Sequence, residues 1–101
     1  MTREQKKAVR RGLRAYGKAL ETGTPDDAPP GWAEIVERTT GYYSRHDRTC
    51  AELLRLRYLE RKTEEETVDA LFVSRSTYYR KELDALSTVA VYAAAAGILT
   101  G

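Results

Sequence analysis

Hydroxyl and cationic side chains are concentrated in one short stretch, residues 74–81, in the C-terminal half of the chain. An arginine guanidinium can donate two hydrogen bonds to a guanine edge, and a serine hydroxyl can bond to a base or a phosphate. Tyrosine and lysine bond readily to phosphate, so this mixture is typical of a surface that contacts duplex DNA. The candidate DNA-binding residues are Ser74, Arg75, Ser76, Tyr79, Arg80 and Lys81.

These candidates divide by the contact that each side chain is suited to make. Arg75 and Ser76 are the best candidates for reading base edges. Phosphate contacts are expected from Ser74, Tyr79 and Arg80. Lys81 is equally compatible with a phosphate contact and with an ordinary surface position. The alternative for the whole group is a solvated face of a small helical bundle.

Two consecutive helices are predicted to position these side chains. Thr63 and Glu66 form a capping box, which predicts a short helix over residues 64–71. After a break of about three residues, Ser74 is a good N-cap for a second helix that begins at Arg75 and ends near Gly97. A short helix, a turn and a helix with polar first turns predict a helix-turn-helix over residues 63–86, whose second helix enters the major groove.

Apolar residues in this segment have the positions that a helix-turn-helix core requires. Val68 falls on the side of the first helix that faces the second, and Leu71 and Val73 flank the turn. Tyr78 falls on the inward side of the second helix, so we expect it in the core and not at a DNA contact.

The remainder of the chain is also predicted to be helical. A capping box at Thr2 and Gln5, followed by apolar residues at helical spacing, predicts a basic helix over residues 3–21. Proline, glycine and aspartate predict a loop over residues 22–31. Two helices follow within residues 32–61, at about 32–43 and 46–61, and residues 87–101 form an Ala-rich helical extension. With no confident strand, the 101 residues predict one all-α domain of about five helices.

The charge of the chain is unevenly distributed. The formal net charge is +2, but residues 1–20 carry seven basic side chains and one acidic side chain. Residues 21–101 carry ten basic and fourteen acidic side chains. The first helix is therefore a basic rod on a mildly acidic body. It can add nonspecific contacts to a DNA backbone, or it can simply balance the charge of the rest.

Residues 50–86 resemble a known group of proteins. The matching pieces are LRLRYLE at residues 54–60, Thr63 with the two glutamates at 65 and 66, and VSRSTYYR at residues 73–80. Together they resemble the C-terminal half of phage transcriptional regulators of the RinA/ArpU type, whose domain is similar to region 4 of sigma factors. The resemblance implies binding of double-stranded DNA near a promoter and control of phage or prophage genes in the cytoplasm of a bacterial host.

Three residues depart from that pattern. Phe72 occupies the turn position that is often glycine, so the turn must either avoid a left-handed residue or strain one. Thr67 occupies a position that is usually aliphatic. Glu64, Glu65 and Glu66 begin a helix whose N-terminus often meets phosphate. The alternative is a protein-interaction module that binds RNA polymerase or another phage protein.

The Ala-rich C-terminal segment offers another alternative. Its small, uncharged side chains permit close approach of helices, so it can fold back on the first helix or form a homodimer seam. Helix-turn-helix proteins often dimerise to read two half-sites. A larger ring built through this segment would instead indicate an oligomeric phage assembly or DNA-packaging adaptor.

The remaining motifs do not indicate catalysis. His46 and Cys50 lie four residues apart, but one such pair without a third group is weak support for an enzyme. We expect no enzymatic activity, no cofactor and no metal site. A single cysteine cannot form an internal disulfide, which favours a reducing, cytoplasmic setting. The longest uncharged run is too short for a membrane span.

Overall fold

The computed structural model describes residues 1–99, and these residues form five α-helices and no strand. This confirms the predicted all-α class. None of these helices is long and apolar enough to cross a membrane. The helices are α1 (Arg3–Glu21), α2 (Trp32–His46), α3 (Arg48–Leu54), α4 (Glu64–Leu71) and α5 (Arg75–Ala95).

Three helices begin where their capping residues predict. At α1 and α4 the capping boxes are complete: Thr2 pairs with Gln5 and Thr63 with Glu66, each side chain bonding to the other residue's backbone N–H. The Ser74 side chain accepts a hydrogen bond from the backbone N–H of Thr77 at the start of α5. Each contact satisfies backbone groups that have no partner inside the helix.

The middle of the chain differs from its prediction. Helix α2 continues to His46 instead of ending near residue 43, because burial of Thr39 and Tyr43 in the packed protein outweighs the weak helix propensity of residues 39–41. Asp47 then adopts extended backbone and caps α3 by accepting from the N–H groups of Thr49 and Cys50. The predicted continuous helix over residues 46–61 is therefore wrong at its start.

The second half of that predicted helix is a π-helical turn, Arg55–Leu59. It packs against α1 at Gly17, where an added Cβ would overlap the backbone carbonyl of Tyr58. After the turn, Arg61 adopts a left-handed backbone conformation (φ 57°), and the chain then reaches α4. The predicted loop over residues 22–31 contains one short 3₁₀ turn, Pro25–Asp27.

The main core lies between α1, α2, α3 and α5. Gly12 of α1 lies directly on the Trp32 ring, leaving no room for a Cβ, so the two helices approach closely. The Tyr43 hydroxyl fastens α2 to α5 by donating to the Asp84 carbonyl at 2.9 Å. The buried members are Val9, Leu13, Trp32, Ile35, Val36, Tyr43, Cys50, Leu54, Tyr58, Ala85, Leu86, Val89 and Ala93.

A second, smaller core holds α4 against α3 and α5. Leu53, Val68 and Tyr78 are buried together, and Leu71 and Val73 pack on them from the two sides of the turn. The predicted inward positions of these α4 and α5 residues are confirmed. This cluster fixes the angle at which α5 leaves the turn.

Helix α5 continues without a break from the predicted helix-turn-helix into the Ala-rich segment, up to Ala95. Val89 and Ala93 are buried in the main core, while Val91 is 66% exposed. One side of the segment thus folds back on the chain, as one of the two alternatives predicted. The predicted extension ends at residue 101, and its last two residues lie outside the described part.

Candidate nucleic-acid interface

The N-terminal end of α5 presents its predicted DNA-binding side chains on the exposed side of the helix. Ser74, Arg75, Ser76, Tyr79 and Arg80 are exposed, while Tyr78 between them is 0% exposed and lies in the small core. We use the name recognition tip for residues 74–81 together with α4. Its exposed residues are thus held in place by burial of the opposite side of the same helix.

Ser74 is used inside the chain as a cap. Its hydroxyl oxygen accepts from the Thr77 N–H at 3.1 Å and donates to the Thr77 hydroxyl at 3.0 Å. The Ser76 hydroxyl lies 3.2 Å from it and is exposed. Ser74 therefore organises the first turn, and Ser76 is the more available hydroxyl.

Arg75 and Tyr79 share one carboxylate oxygen of α4. Arg75 Nη1 donates to Glu64 Oε2 at 3.2 Å, and the Tyr79 hydroxyl donates to the same oxygen at 2.8 Å. The bond to Glu64 raises the pKa of the Tyr79 hydroxyl above its usual value. Two of the predicted DNA contacts are therefore bound to an acidic side chain in the free protein, each through one hydrogen bond.

Arg80 differs from Arg75. It is exposed, and within residues 1–99 it forms no ion pair or side-chain hydrogen bond. Its guanidinium keeps all five donors available for an external acceptor. Of the two arginines at the recognition tip, Arg80 is thus the one that has no intrachain partner among residues 1–99.

Lys81 ties α5 to the start of α3. Its ammonium lies 2.7 Å from Asp47 Oδ2, and the same carboxylate caps α3. This bond lowers the pKa of Asp47 and raises the pKa of Lys81. The sequence left Lys81 open between a phosphate contact and an ordinary surface position, and the structure shows its ammonium in a half-buried ion pair inside the chain.

A polar network that the sequence analysis missed lies on the buried side of α5. The Glu82 carboxylate is 7% exposed and accepts hydrogen bonds from Arg10 at 2.8 Å, Tyr78 at 2.9 Å and Tyr58 at 3.2 Å. Burial raises the pKa of Tyr58, and burial together with the bond to Glu82 raises that of Tyr78. Glu82 follows Tyr78 by one helical turn, a spacing that could have revealed this pair.

The turn between α4 and α5 contains a strained and exposed residue. Phe72 adopts left-handed backbone (φ 55°, ψ 42°), and its side chain is 95% exposed. A left-handed conformation costs a residue with a Cβ about 1 kcal/mol. Of the two predicted possibilities for this turn, the chain therefore adopts the strained one.

Cys50 is buried and His46 is exposed, so the two side chains lie in different environments. Cys50 is fully buried, and its thiol donates to Asp47 Oδ2 at 3.5 Å and to the Lys81 carbonyl at 3.7 Å. Burial raises the pKa of this thiol to about 12. His46 is exposed and stacks on Tyr42. Within residues 1–99, no group of three or more histidine, cysteine or acidic side chains is arranged to hold a metal ion.

Comparisons with protein families, with characterised proteins and with solved structures found no match for this chain. We therefore infer function from the residues of the recognition tip and from the surfaces that adjoin it.

Proposed function

We propose that this protein is a double-stranded DNA-binding transcriptional regulator of phage or prophage genes, working in the cytoplasm of a bacterial host. The observation that carries this proposal is the contrast within the first two turns of α5. Tyr78 is buried against Leu53 and Val68, while Arg75, Ser76 and Arg80 are exposed. Buried side chains thus fix the helix, and the groups suited to base and phosphate contact face outward.

In this proposal the N-terminal turns of α5 enter the major groove. Arg75 and Ser76 read base edges, and Arg80 contacts phosphate. Ser74 and Tyr79 add phosphate contacts, and Lys81 does so only after leaving Asp47. Release of Tyr79 from Glu64 accompanies binding, because its single hydroxyl proton cannot bond to the carboxylate and a phosphate together. Arg75 gives Glu64 one of its five N–H donors and uses the others at the guanine edge.

The experiment that tests the proposal is a comparison of affinities for an unrelated DNA duplex at about 50 and 200 mM salt. Wild type is expected to bind with a steep dependence on salt, and Arg75→Ala/Arg80→Ala is expected to lose affinity. Selection of an operator from random sequences then tests base reading. If wild type shows no binding at the lower salt concentration, the proposal is wrong.

A second candidate function is a protein-interaction module that binds RNA polymerase or another phage protein. Phe72 favours it, since an exposed aromatic ring on a strained turn is typical of a contact residue at a protein interface. The acidic start of α4 would belong to the same surface. Loss of polymerase binding in Glu65→Lys, with unchanged DNA binding, would favour this function over the first.

Self-association is proposed as part of the DNA-binding function. The chain is uncharged from Ala85 to Leu99, and Leu83 and Val91 are exposed large apolar residues on α5. A homodimer through this helix would present two recognition tips to two half-sites. The mass in solution tests it: a dimer supports the regulator, whereas a much larger ring would indicate an assembly or DNA-packaging adaptor.

A further inference from the structure

Helix α1 carries a line of exposed cations. They follow one another at intervals of four, four, three and four residues, which places them on one side of the helix. The opposite side of α1 is buried in the main core through Val9 and Leu13. We call this line the α1 ridge, and its members are Arg3, Lys7, Arg11, Arg14 and Lys18.

In the part of the chain that the structure describes, the cations of the α1 ridge have no acidic partners. Within residues 1–99, none of them forms an ion pair, and the one cation of α1 that does is Arg10, which bonds to Glu82. Lys7, Arg10, Arg11 and Arg14 line a shallow cleft of about 400 Å³. The α1 ridge thus offers free positive charge on a fixed, regular surface.

The geometry points to a phosphate backbone as the partner. At about 1.5 Å per residue, the ridge is about 22 Å long, which equals the rise of about six base pairs of duplex DNA. Neighbouring cations are about 4.5 to 6 Å apart along the helix axis. A straight line of charges at this spacing is complementary to a polyanion with regularly spaced phosphates.

We propose that the α1 ridge binds the sugar-phosphate backbone of duplex DNA and supplies most of the salt-dependent affinity of this protein. This inference rests on the proposed function in taking duplex DNA as the partner, and it assigns the electrostatic part of binding to α1 and not to the recognition tip. Arg10 and Glu82 join α1 to α5, so the ridge and the tip are parts of one packed unit.

An anionic membrane is the other polyanionic surface that a basic helix can bind. Helices that lie in the membrane interface insert an apolar face among the lipids. The apolar face of α1 is already buried in the protein core, because Val9 and Leu13 are almost fully covered. The ridge therefore presents positive charge but little apolar area, which favours DNA over a membrane as its partner.

The test replaces four ridge cations by glutamine, a good helix former with a flexible polar side chain and no charge. A control variant removes the same charge from exposed positions elsewhere on the surface. The ridge variant is Lys7→Gln/Arg11→Gln/Arg14→Gln/Lys18→Gln. The control variant is Arg38→Gln/Arg45→Gln/Arg48→Gln/Lys62→Gln. A charge-retaining variant, Arg11→Lys/Arg14→Lys, shows whether charge alone suffices.

The measurement is the dissociation constant for an unrelated DNA duplex of about 20 base pairs between about 50 and 200 mM salt. Each lost phosphate contact lowers the salt slope by about 0.9, so four contacts lower it by about 3.6. The decrease in affinity over this salt range should thus become about 150-fold smaller in the ridge variant. The control and the charge-retaining variant should keep the wild-type slope.

Three results would overturn the inference. An unchanged slope in the ridge variant would show that α1 does not contact phosphate. An equal loss in the control would show a dependence on net charge alone. Binding of wild type to vesicles containing phosphatidylserine, without binding to duplex DNA, would assign the ridge to a membrane. A circular dichroism melt of each variant establishes that all of them fold.

Failure of this inference is distinguishable from failure of the proposed function. If Arg75→Ala/Arg80→Ala loses the salt slope and the ridge variant keeps it, the recognition tip binds DNA without α1. If the ridge variant loses the slope and operator selection from random sequences yields no preferred site, α1 binds the backbone but the regulatory role is wrong. Wild type that does not bind the duplex at all contradicts both.

Discussion

The α1 ridge and the recognition tip both present cations, but they hold them in different ways. On the ridge, the exposed cations have no acidic partner within residues 1–99. At the tip, Arg75 and Tyr79 bond to Glu64, and Lys81 bonds to Asp47. A free cation attracts any polyanion, whereas a cation that already has a carboxylate partner binds only a ligand that competes with it.

The charge balance of the two regions makes the same distinction. Residues 3–18 contain seven basic side chains and one acidic side chain, whereas residues 63–81 contain three basic and four acidic side chains. In the proposed function, the ridge therefore produces the positive field that draws DNA to the protein. The tip is close to neutral, so we expect it to contribute selectivity between sequences more than attraction.

Loss of the contact between Arg10 and Glu82, which joins α1 to α5, is expected to change stability the most. Glu82→Ala removes the carboxylate that joins Arg10 of α1 to Tyr58 and Tyr78, and it leaves three buried or half-buried donors without an acceptor. We expect the free energy of unfolding to fall by about 3 kcal/mol. This value is at the lower end of the range for breaking a buried ion pair, because the Arg10 side chain is 32% exposed. Denaturant unfolding followed by Trp32 fluorescence measures it.

The control for Glu82 is Glu37→Ala, which removes an exposed glutamate of α2. It should change the free energy of unfolding by less than about 0.5 kcal/mol. Equal effects of the two substitutions would mean that the Arg10–Glu82 contact does not hold α1 against α5, and the two regions would then be independent.

A smaller effect is expected where the tip is fastened to α3. Asp47→Ala removes the cap of α3 and the partner of Lys81, so we expect a loss of about 1.5 kcal/mol at pH 7. The bond to Lys81 lowers the pKa of Asp47 in the folded state, so its stabilising effect is complete above about pH 4 and is lost as pH falls through the folded pKa.

Denaturant curves of wild type and Asp47→Ala at pH 7 and pH 3 check both the size and the sign of this effect. The difference between the two proteins should be smaller at pH 3. Asp26→Ala, in the exposed loop, is the matched control and should change neither curve. A difference that grows on acidification would contradict the ion pair.

The strained backbone of Phe72, in the turn between α4 and α5, is expected to have a smaller effect on stability. Phe72→Gly relieves the left-handed backbone and removes a ring that is almost fully exposed, so we expect the protein to become about 1 kcal/mol more stable. Phe72→Ala removes the ring but keeps the strained conformation, and it should leave stability nearly unchanged. A melting temperature for each variant separates strain from the contacts of the ring.

A destabilised Phe72→Gly would show that Phe72 makes contacts that outweigh its strain. If instead Phe72→Gly is more stable and loses binding to RNA polymerase while keeping DNA affinity, the ring is a contact residue for a protein partner. That outcome would favour the second candidate function over the first.

Competition between Glu64 and DNA for Arg75 and Tyr79 is expected to change the DNA affinity only slightly. Glu64→Gln weakens the hold on Arg75 and Tyr79, so we expect about threefold tighter binding to duplex DNA at about 100 mM salt. Glu65→Gln is a close control, because it removes the same charge from the same turn, and Glu65 forms no hydrogen bond or ion pair with α5 within residues 1–99. Equal affinities of the two variants would contradict the competition.

The starts of α1, α4 and α5 were predictable because their signals are local. Thr2 and Gln5, and Thr63 and Glu66, lie three residues apart and satisfy each other's backbone groups wherever the helix goes. The exposed side chains of α5 followed in the same way, since the buried position of Tyr78 determines which neighbours face outward. The composition and periodicity therefore gave the all-α class and the surface of the tip.

The partners of these side chains were not predictable, because they depend on how distant helices pack. Glu64 and Arg75 are eleven residues apart, Asp47 and Lys81 are 34 apart, and Arg10 and Glu82 are 72 apart. The π-helical turn Arg55–Leu59 was missed for a similar reason. It lies where Gly17 of α1 meets the chain, and no local signal marks that contact.

Because Cys50 is buried between α3 and α5, its reactivity reports local opening of these two helices. The thiol lies between the cap of α3 and the backbone of α5, and its raised pKa keeps it protonated at neutral pH. Only thiolate reacts with alkylating reagents, so labelling must wait until α3 and α5 separate. The labelling rate therefore measures how often α3 and α5 separate at the base of the recognition tip. A ligand that holds the tip in place will lower this rate.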